Sequence, residues 1–313
     1  MQDNLKTQMV LGGNGAIGKA VIDELKSRNI SVRALTLKGT VEDTDTVNID
    51  ILDKDKFTEV TRDISHMYLC IGLPYQTKVW EKDWPIVMEN TIAVCKKNNI
   101  KLIFFDNTYM YGPPPLPIHF NENTTQKPVS RKGVVRKQIS DRLMNAIHNN
   151  EVRALIGRSA NFYGPKAINS ILYVSFLERI LKGKKPQLVF PINIKHTFSY
   201  TKDIARALVD LANESSVYGE VWHLPVGKPI STKEISLIFN KNLNTNFEIS
   251  VLPQPLITIL KLFINPLREV SETLYQFRTP FIMSDAKFMK KFPDFKVTDY
   301  EVGLKEMIDS FRK

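Results

Sequence analysis

Residues 10–20 read VLGGNGAIGKA. An apolar run ends at Leu11, and Gly12, Gly15 and Gly18 follow at three-residue intervals. Ile17, Val21, Ile22 and Leu25 then recur at the spacing of one helix face. The chain must therefore pass from strand to helix within a few residues, with glycine wherever the backbone turns tightly or approaches another segment closely. A helix that starts there offers unpaired N–H groups and the positive end of its dipole. The turn, with Asn14, Ala16 and Ile17 between and beside the glycines, is thus a cradle for a phosphate group.

The rest of the first half repeats that rhythm. SVRALTL, TVNIDI, HMYLCIG, KLIFFDN and EVRALIGRS have the apolar character of strands. DKDKFTEVTRDI, WPIVMENTIAVCKKNN and RKGVVRKQISDRLMNAIHNN have helical spacing. Strands alternating with helices predict an α/β fold, a Rossmann-like doubly wound parallel sheet. The pattern loosens after about residue 164, so the reading is a dinucleotide-binding domain over 1–165. A smaller C-terminal substrate lobe, 166–313, sends strands and helices back to the sheet.

In such a fold the end of the second strand selects the dinucleotide, because an acid there grips a ribose 2′-hydroxyl. Thr36 occupies that place, followed by Leu37 and Lys38, and no carboxylate is beside them. A hydroxyl and a lysine, with Arg33 as a further candidate, suit a 2′-phosphate. NADP is expected over NAD, with NAD still open.

The glycine spacing resembles that of the short-chain dehydrogenase/reductases, and later segments resemble their extended branch, the NAD-dependent epimerase/dehydratase proteins. FFDNTYMYGPP (104–114) is similar to the branch's S-S-x-x-V-Y-G, IGRSANFYGP (156–165) to its R-x-x-N-x-Y-G-P, and HTFSYTKDIARALV (196–209) to its late strand and helix. The resemblance covers most of the chain and is weakest over 241–285. It implies that Asp50, with Ile51, contacts adenine and that Cys70, Ile71 and Gly72 border the cofactor ribose. It also implies that Ala160 meets the nicotinamide amide, Asn161 faces the substrate, and His196 borders the pocket.

The departures from the family bear on chemistry. Its catalytic trio is Ser or Thr, Tyr and Lys; the matching positions here hold Asn107, Lys132 and Arg136, with Gly133 keeping its slot. A subgroup of epimerase-like proteins with D-N-x-Y-M-Y-G-P resembles this stretch, and the resemblance implies no substrate for it. Arg136 can hold ribose hydroxyls with its fixed charge. Asn107 can orient a substrate oxygen or the cofactor. Lys132 can carry a proton where burial and the neighbouring Arg136 favour its neutral form. The competing reading makes both cations a solvated face. Tyr109, Tyr75 and His119 are rival proton donors, Tyr109 foremost because it lies two residues past Asn107. The expected function is an NAD(P)-dependent oxidoreductase or epimerase-like protein acting on a small carbonyl or alcohol. The alternative is an NADP-binding protein without catalysis, a redox sensor or an assembly partner.

Composition narrows the partners. The net charge of +10 is scattered over pairs such as Lys96-Lys97 and Lys290-Lys291 without aromatic interleaving, so no nucleic acid is expected. Two cysteines and no visible signal peptide point to a reducing, cytoplasmic setting. Five histidines without ligand spacing predict no metal. PLITILKLFI (255–264) is too short to span a bilayer, so no membrane partner is expected; it reads as an amphipathic helix over a pocket or on a partner. Pro253–Pro280 is read as an apolar lid or as core. Segments 81–98 and 131–148, with Ile86, Val87, Ile92 and Val94, are candidate homodimer helices.

Overall fold

The computed structural model describes residues 7–312; the polar lead 1–6 lies outside them. Six strands, β1 (Thr7–Leu11), β2 (Val32–Thr36), β3 (Asp45–Asn48), β4 (Ile64–Leu69), β5 (Lys101–Asp106) and β6 (Ala154–Arg158), alternate with α1 (Ala16–Ser27), α2 (Lys54–Glu59), α3 (Thr77–Asn98) and α4 (Arg131–His148). The C-terminal half contributes short strands β7 (Asn161–Tyr163), β8 (Gln187–Leu188), β9 (Lys195–His196), β10 (Phe198–Tyr200), β11 (Val221–His223), β12 (Ile230–Ser231) and β13 (Ser250–Val251). Its helices are α5 (Glu178–Leu181), α6 (Thr201–Asn213), α7 (Thr232–Leu243), α8 (Gln254–Phe263), α9 (Asn265–Ser271), α10 (Ala286–Lys291) and α11 (Tyr300–Arg312).

The central sheet has seven parallel strands in the order β11-β6-β5-β4-β1-β2-β3. Strand order reverses between β1 and β4, and the crevice at their carboxyl ends is where doubly wound sheets hold a ligand. β4 is buried along its whole length, which explains the unbroken apolar run over 67–69 in place of an alternating one. β11 closes one edge by pairing with β6, so the C-terminal half supplies a strand to the same sheet. Two apolar cores cover the two faces. Met9, Leu69, Trp84 and Leu143 belong to one, and Val10, Val21, Tyr68 and Leu208 to the other. A third core, including Phe176, Phe239 and Met307, lies within the C-terminal half.

Three expectations need correction. Helix α3 begins at Thr77, not at Trp84, and carries Pro85 inside it. The carboxylate of Glu269 accepts from both the Thr77 backbone N–H (2.8 Å) and its hydroxyl (2.7 Å), so the cap comes from far along the chain. Val87, Ile92 and Val94 are core residues; of the four proposed for a dimer face only Ile86 is exposed. Ion pairs Arg131–Glu81 and Arg142–Glu89 join α3 to α4 instead. Lys132 and Arg136 are not a solvated face either, since both are buried with Val135, Ile139 and Leu143.

Among the described residues no helix is long and apolar enough to cross a membrane. None of their His, Cys, Asp and Glu side chains form a group of three or more that can hold a metal.

Candidate functional site

The glycine turn is built by contact as well as by conformation. Gly12 sits at φ +83°, and a Cβ on Gly18 would stand 2.2 Å from the Gly12 carbonyl oxygen. Any side chain at Gly18 therefore drives α1 off the turn. Gly15 caps α1 without a side-chain hydrogen bond, and no acid lies in the first turn. The N–H groups of Ala16, Ile17 and Gly18 are thus left to an incoming anion. Asn14 steadies the turn from the other side, its Nδ2 donating to the Lys38 carbonyl at 2.9 Å.

The end of β2 differs in detail from the expectation. The Thr36 hydroxyl donates to the Gly39 carbonyl (3.2 Å) and to Asn48 Oδ1 (3.0 Å) in a buried position, so it is committed to the loop. Arg33 is held by Asp45 and Asp63, whose bonds raise its pKa further, and is unavailable to a phosphate. Lys38 remains exposed. Asp50 is exposed, with one oxygen accepting from the Leu52 N–H. Ile51 is buried and its carbonyl accepts from Asn90. Cys70 is buried, and burial pushes its thiol pKa well up, so it is an inert wall rather than a nucleophile. Ile71 is half-buried and Gly72 exposed at the carboxyl end of β4. A Cβ on Gly72 would meet nothing within 4 Å.

Lys132 and Arg136, two of the residues expected in the trio, are held in ion pairs. Ser130 caps α4 by accepting from the Gly133 N–H, which sets Lys132 and Arg136 on the inward side. Lys132 Nζ lies 2.6 Å from Glu269 Oε2, 2.7 Å from Glu272 Oε1 and 2.9 Å from the Thr77 hydroxyl. It also lies over the Tyr75 ring at 4.5 Å. An ammonium has three N–H donors and all are taken. In this arrangement every donor of Lys132 is engaged by Glu269, Glu272 and Thr77. Arg136 donates from Nε (2.7 Å) and Nη2 to one oxygen of Asp106, which is completely buried. Its guanidinium stacks on Trp84 at 4.4 Å. Its charge is thus matched inside the core by Asp106.

Asn107 Oδ1 accepts from the Tyr109 N–H at 3.0 Å, a local turn that fixes the chain after β5 and leaves the amide NH2. Tyr109 stacks on Trp80 (6.2 Å, 19°), and the Tyr75 hydroxyl donates to the Tyr109 hydroxyl at 3.3 Å. Tyr75 also meets Thr273 at 3.0 Å, and Tyr275 donates to the Tyr109 carbonyl, so the 273–275 stretch closes over the pair. Burial raises the pKa of the Tyr109 phenol, outweighing the Tyr75 bond and the Arg136 charge that lower it.

Behind this site lies a buried network that the sequence reading missed. Asp106 accepts from Arg136 and from Arg158, whose other donors reach the Tyr111 hydroxyl (2.9 Å) and Ser140 (2.8 Å). Tyr111 in turn meets His223 Nε2 at 2.6 Å. The signal was present: an arginine in a strand otherwise read as buried needs a buried acid. His196 is enclosed beside Phe277 and the Gln276 carbonyl, and burial lowers its pKa to about 4. Ala160 is buried and Asn161, at the start of β7, is half-buried. His119, at φ 63°, is exposed. A groove of about 690 Å³ lined by Arg28, Arg206 and Lys291 includes none of these residues, and its charges are paired with Asp210, Asp203 and Glu214.

The parallel sheet, the reversed strand order and the glycine turn define a doubly wound dinucleotide-binding class. Residues 8–224 match the NAD dependent epimerase/dehydratase family, and the chain belongs to that family. No curated protein sequence matches it. Among solved structures it is similar to the enzyme WbmH of Bordetella bronchiseptica in complex with NAD+, at 17% identity, with 99% of each chain covered and a TM-score of 0.79. It is similar to UDP-glucose 4-epimerase of Thermus thermophilus in complex with NAD, at 19% identity, over 98% of this chain and 99% of that one, TM-score 0.79. UDP-glucose 4-epimerase of Thermotoga maritima with UDP-glucose aligns at 18% identity over 98% of both chains, TM-score 0.81.

Proposed function

We propose that the chain binds a nicotinamide dinucleotide across the carboxyl ends of β1, β2 and β4 and acts as an oxidoreductase on a small carbonyl or alcohol. The observation that carries this reading is the Gly12–Gly18 contact, which closes position 18 to any side chain at the point where α1 presents free N–H groups. In it, Ala16, Ile17 and Gly18 hold the pyrophosphate, Asp50 and the Ile51 backbone border the adenine, and Ile71 and Gly72 border the far ribose. Lys38 meets a 2′-phosphate, which favours NADP; with Thr36 committed elsewhere the preference rests on that one cation and on the missing carboxylate. Ala160 and Asn161 lie toward the reacting end.

The bound cofactor would supply or accept a hydride. The proton then comes from Tyr109, whose raised pKa keeps it protonated at neutral pH and suited to quench an alkoxide in the direction of reduction. Tyr75 can replenish it through the hydroxyl contact, and the Asn107 amide can orient the substrate oxygen.

A second reading, dinucleotide binding without turnover, is favoured by the ion pairs that absorb Lys132 and Arg136. Calorimetric titration with NADPH and NADH tests the binding. A screen of aldehydes, ketones and sugar nucleotides for a change in nicotinamide absorbance then separates the two readings. Absence of binding to either cofactor overturns both.

A further inference from the structure

Helix α8 is built of Leu, Ile and Phe at six of its ten positions, yet only Ile257 is buried. Leu256, Ile259, Leu262, Phe263 and, just past the helix, Ile264 face outward; Leu262 is 67% and Phe263 80% exposed. Single exposed apolar residues need no explanation, but a contiguous set on one element does. The charges of the same segment are sorted. Between Pro253 and Pro280 the only acids are Glu269 and Glu272, and both turn inward to Thr77 and Lys132. The cations are Lys261, Arg268 and Arg278. Arg268 and Arg278 rest on the neutral oxygens of Asn265 and Gln254, which leaves their charge unmatched within the segment.

An outward face of aliphatic and aromatic tips with uncompensated cations is complementary to an anionic bilayer surface. A second copy of this chain is the poorer occupant, because it would bring the same three cations and the same net charge of +10 to the contact. A helix of ten residues is about 15 Å long, half the thickness of a hydrocarbon core, so it lies in the interface and does not cross it.

We propose that α8 and the turn into α9 form an interfacial docking element that seats on an anionic lipid surface, with Leu262 and Phe263 inserted and Lys261, Arg268 and Arg278 among the headgroups. The proposal departs from the expectation of no membrane partner and is compatible with the absence of a spanning helix among the described residues. It is independent of the proposed redox role.

The test is co-flotation of the full chain with vesicles of phosphatidylcholine alone and of phosphatidylcholine mixed with phosphatidylserine. The expected result is at least about tenfold tighter association with the anionic vesicles, weakened by salt. The paired change Leu262→Ser and Phe263→Ser should leave the melting temperature unchanged, since both side chains are exposed, and lower association by about tenfold or more. Arg268→Gln with Arg278→Gln should lower it several-fold. Failure to float with either vesicle overturns the proposal. So does undiminished binding of the Leu262/Phe263 variant, because the overall positive charge would then suffice. A wild-type dimer in light scattering that this variant dissociates, without vesicle binding, assigns the face to a second copy.

Discussion

Lys132 Nζ stands 2.6 Å from Glu269 Oε2, joining the first turn of α4 to α9 across 137 residues of chain. The same carboxylate caps α3 through Thr77, and Glu272 completes the set on Lys132. One buried cation thus fastens the 254–278 segment over the tyrosine pair. At Lys132 the chain has a latch.

Removing the latch cation leaves two carboxylates facing one another with one cap still made. Lys132→Met is expected to destabilise the protein by about 2–4 kcal/mol, below the value for a fully buried pair because both glutamates keep some solvent contact. Urea denaturation measures it. Limited proteolysis should show cuts moving into residues 254–278, since the segment loses its inward anchor.

Stability should fall with acid in two overlapping windows. Burial holds the buried imidazoles of His196 and His223 at about 4 and about 3, below their ordinary 6.5. The unfolded chain takes up protons first, so their contribution is complete above 6.5 and is lost as pH falls toward those values. For Glu269, burial alone would raise the pKa, but the bonds from Lys132 and Thr77 outweigh it and hold it at about 2. Its contribution is complete above 4.5 and is lost toward 2. Each histidine is worth on the order of 3 kcal/mol by linkage, and Glu269, which keeps contact with solvent, less. Urea midpoints at about pH 7.5, 5 and 3 should fall in sequence, with His196→Gln flattening the first step and Lys132→Met the second.

The sheet was legible because its signal is local. Buried parallel strands such as MVL and MYL are continuous apolar runs, and the glycine turn joins neighbours in sequence. What was not legible depends on distant partners. Nothing near Thr77 announces a helix start, because its cap is Glu269, 192 residues on. Lys132 and Arg136 looked like reactive groups or a wet face because their carboxylates, Glu269 and Asp106, belong to other elements. Val87, Ile92 and Val94 passed for a dimer face because α3 buries more than one stripe.

Gly18→Ala should abolish dinucleotide binding and cost about 2–4 kcal/mol, since its methyl would press on the backbone of Gly12, which cannot swing aside as a side chain can. Calorimetry with NADPH and a thermal melt without it measure the two effects separately. Retained affinity would place the pyrophosphate elsewhere.

Lys38→Ala should cost about tenfold or more in NADPH affinity, the worth of one charge-assisted contact of ~1.5–3 kcal/mol, and leave NADH affinity nearly unchanged. Equal losses for both cofactors would show that the Lys38 ammonium does not single out a 2′-phosphate.

Tyr109→Phe separates chemistry from binding. The ring stacks on Trp80 and would stay in place, so only the hydroxyl and its contact with Tyr75 are lost. General acid catalysis contributes about 10²–10⁴-fold, so turnover on any substrate found in the screen should fall by about a hundredfold or more while cofactor affinity holds. Tyr75→Phe keeps the Tyr109 hydroxyl and should cost less, about tenfold, as a replenishing group rather than the direct donor. Lys132→Met is the control: with its donors consumed by Glu269, Glu272 and Thr77, its loss should reduce stability more than the per-molecule rate. A Lys132→Met protein that is folded, binds NADPH and has lost turnover, beside a fully active Tyr109→Phe, would return the proton to Lys132 and require the latch to open during the reaction.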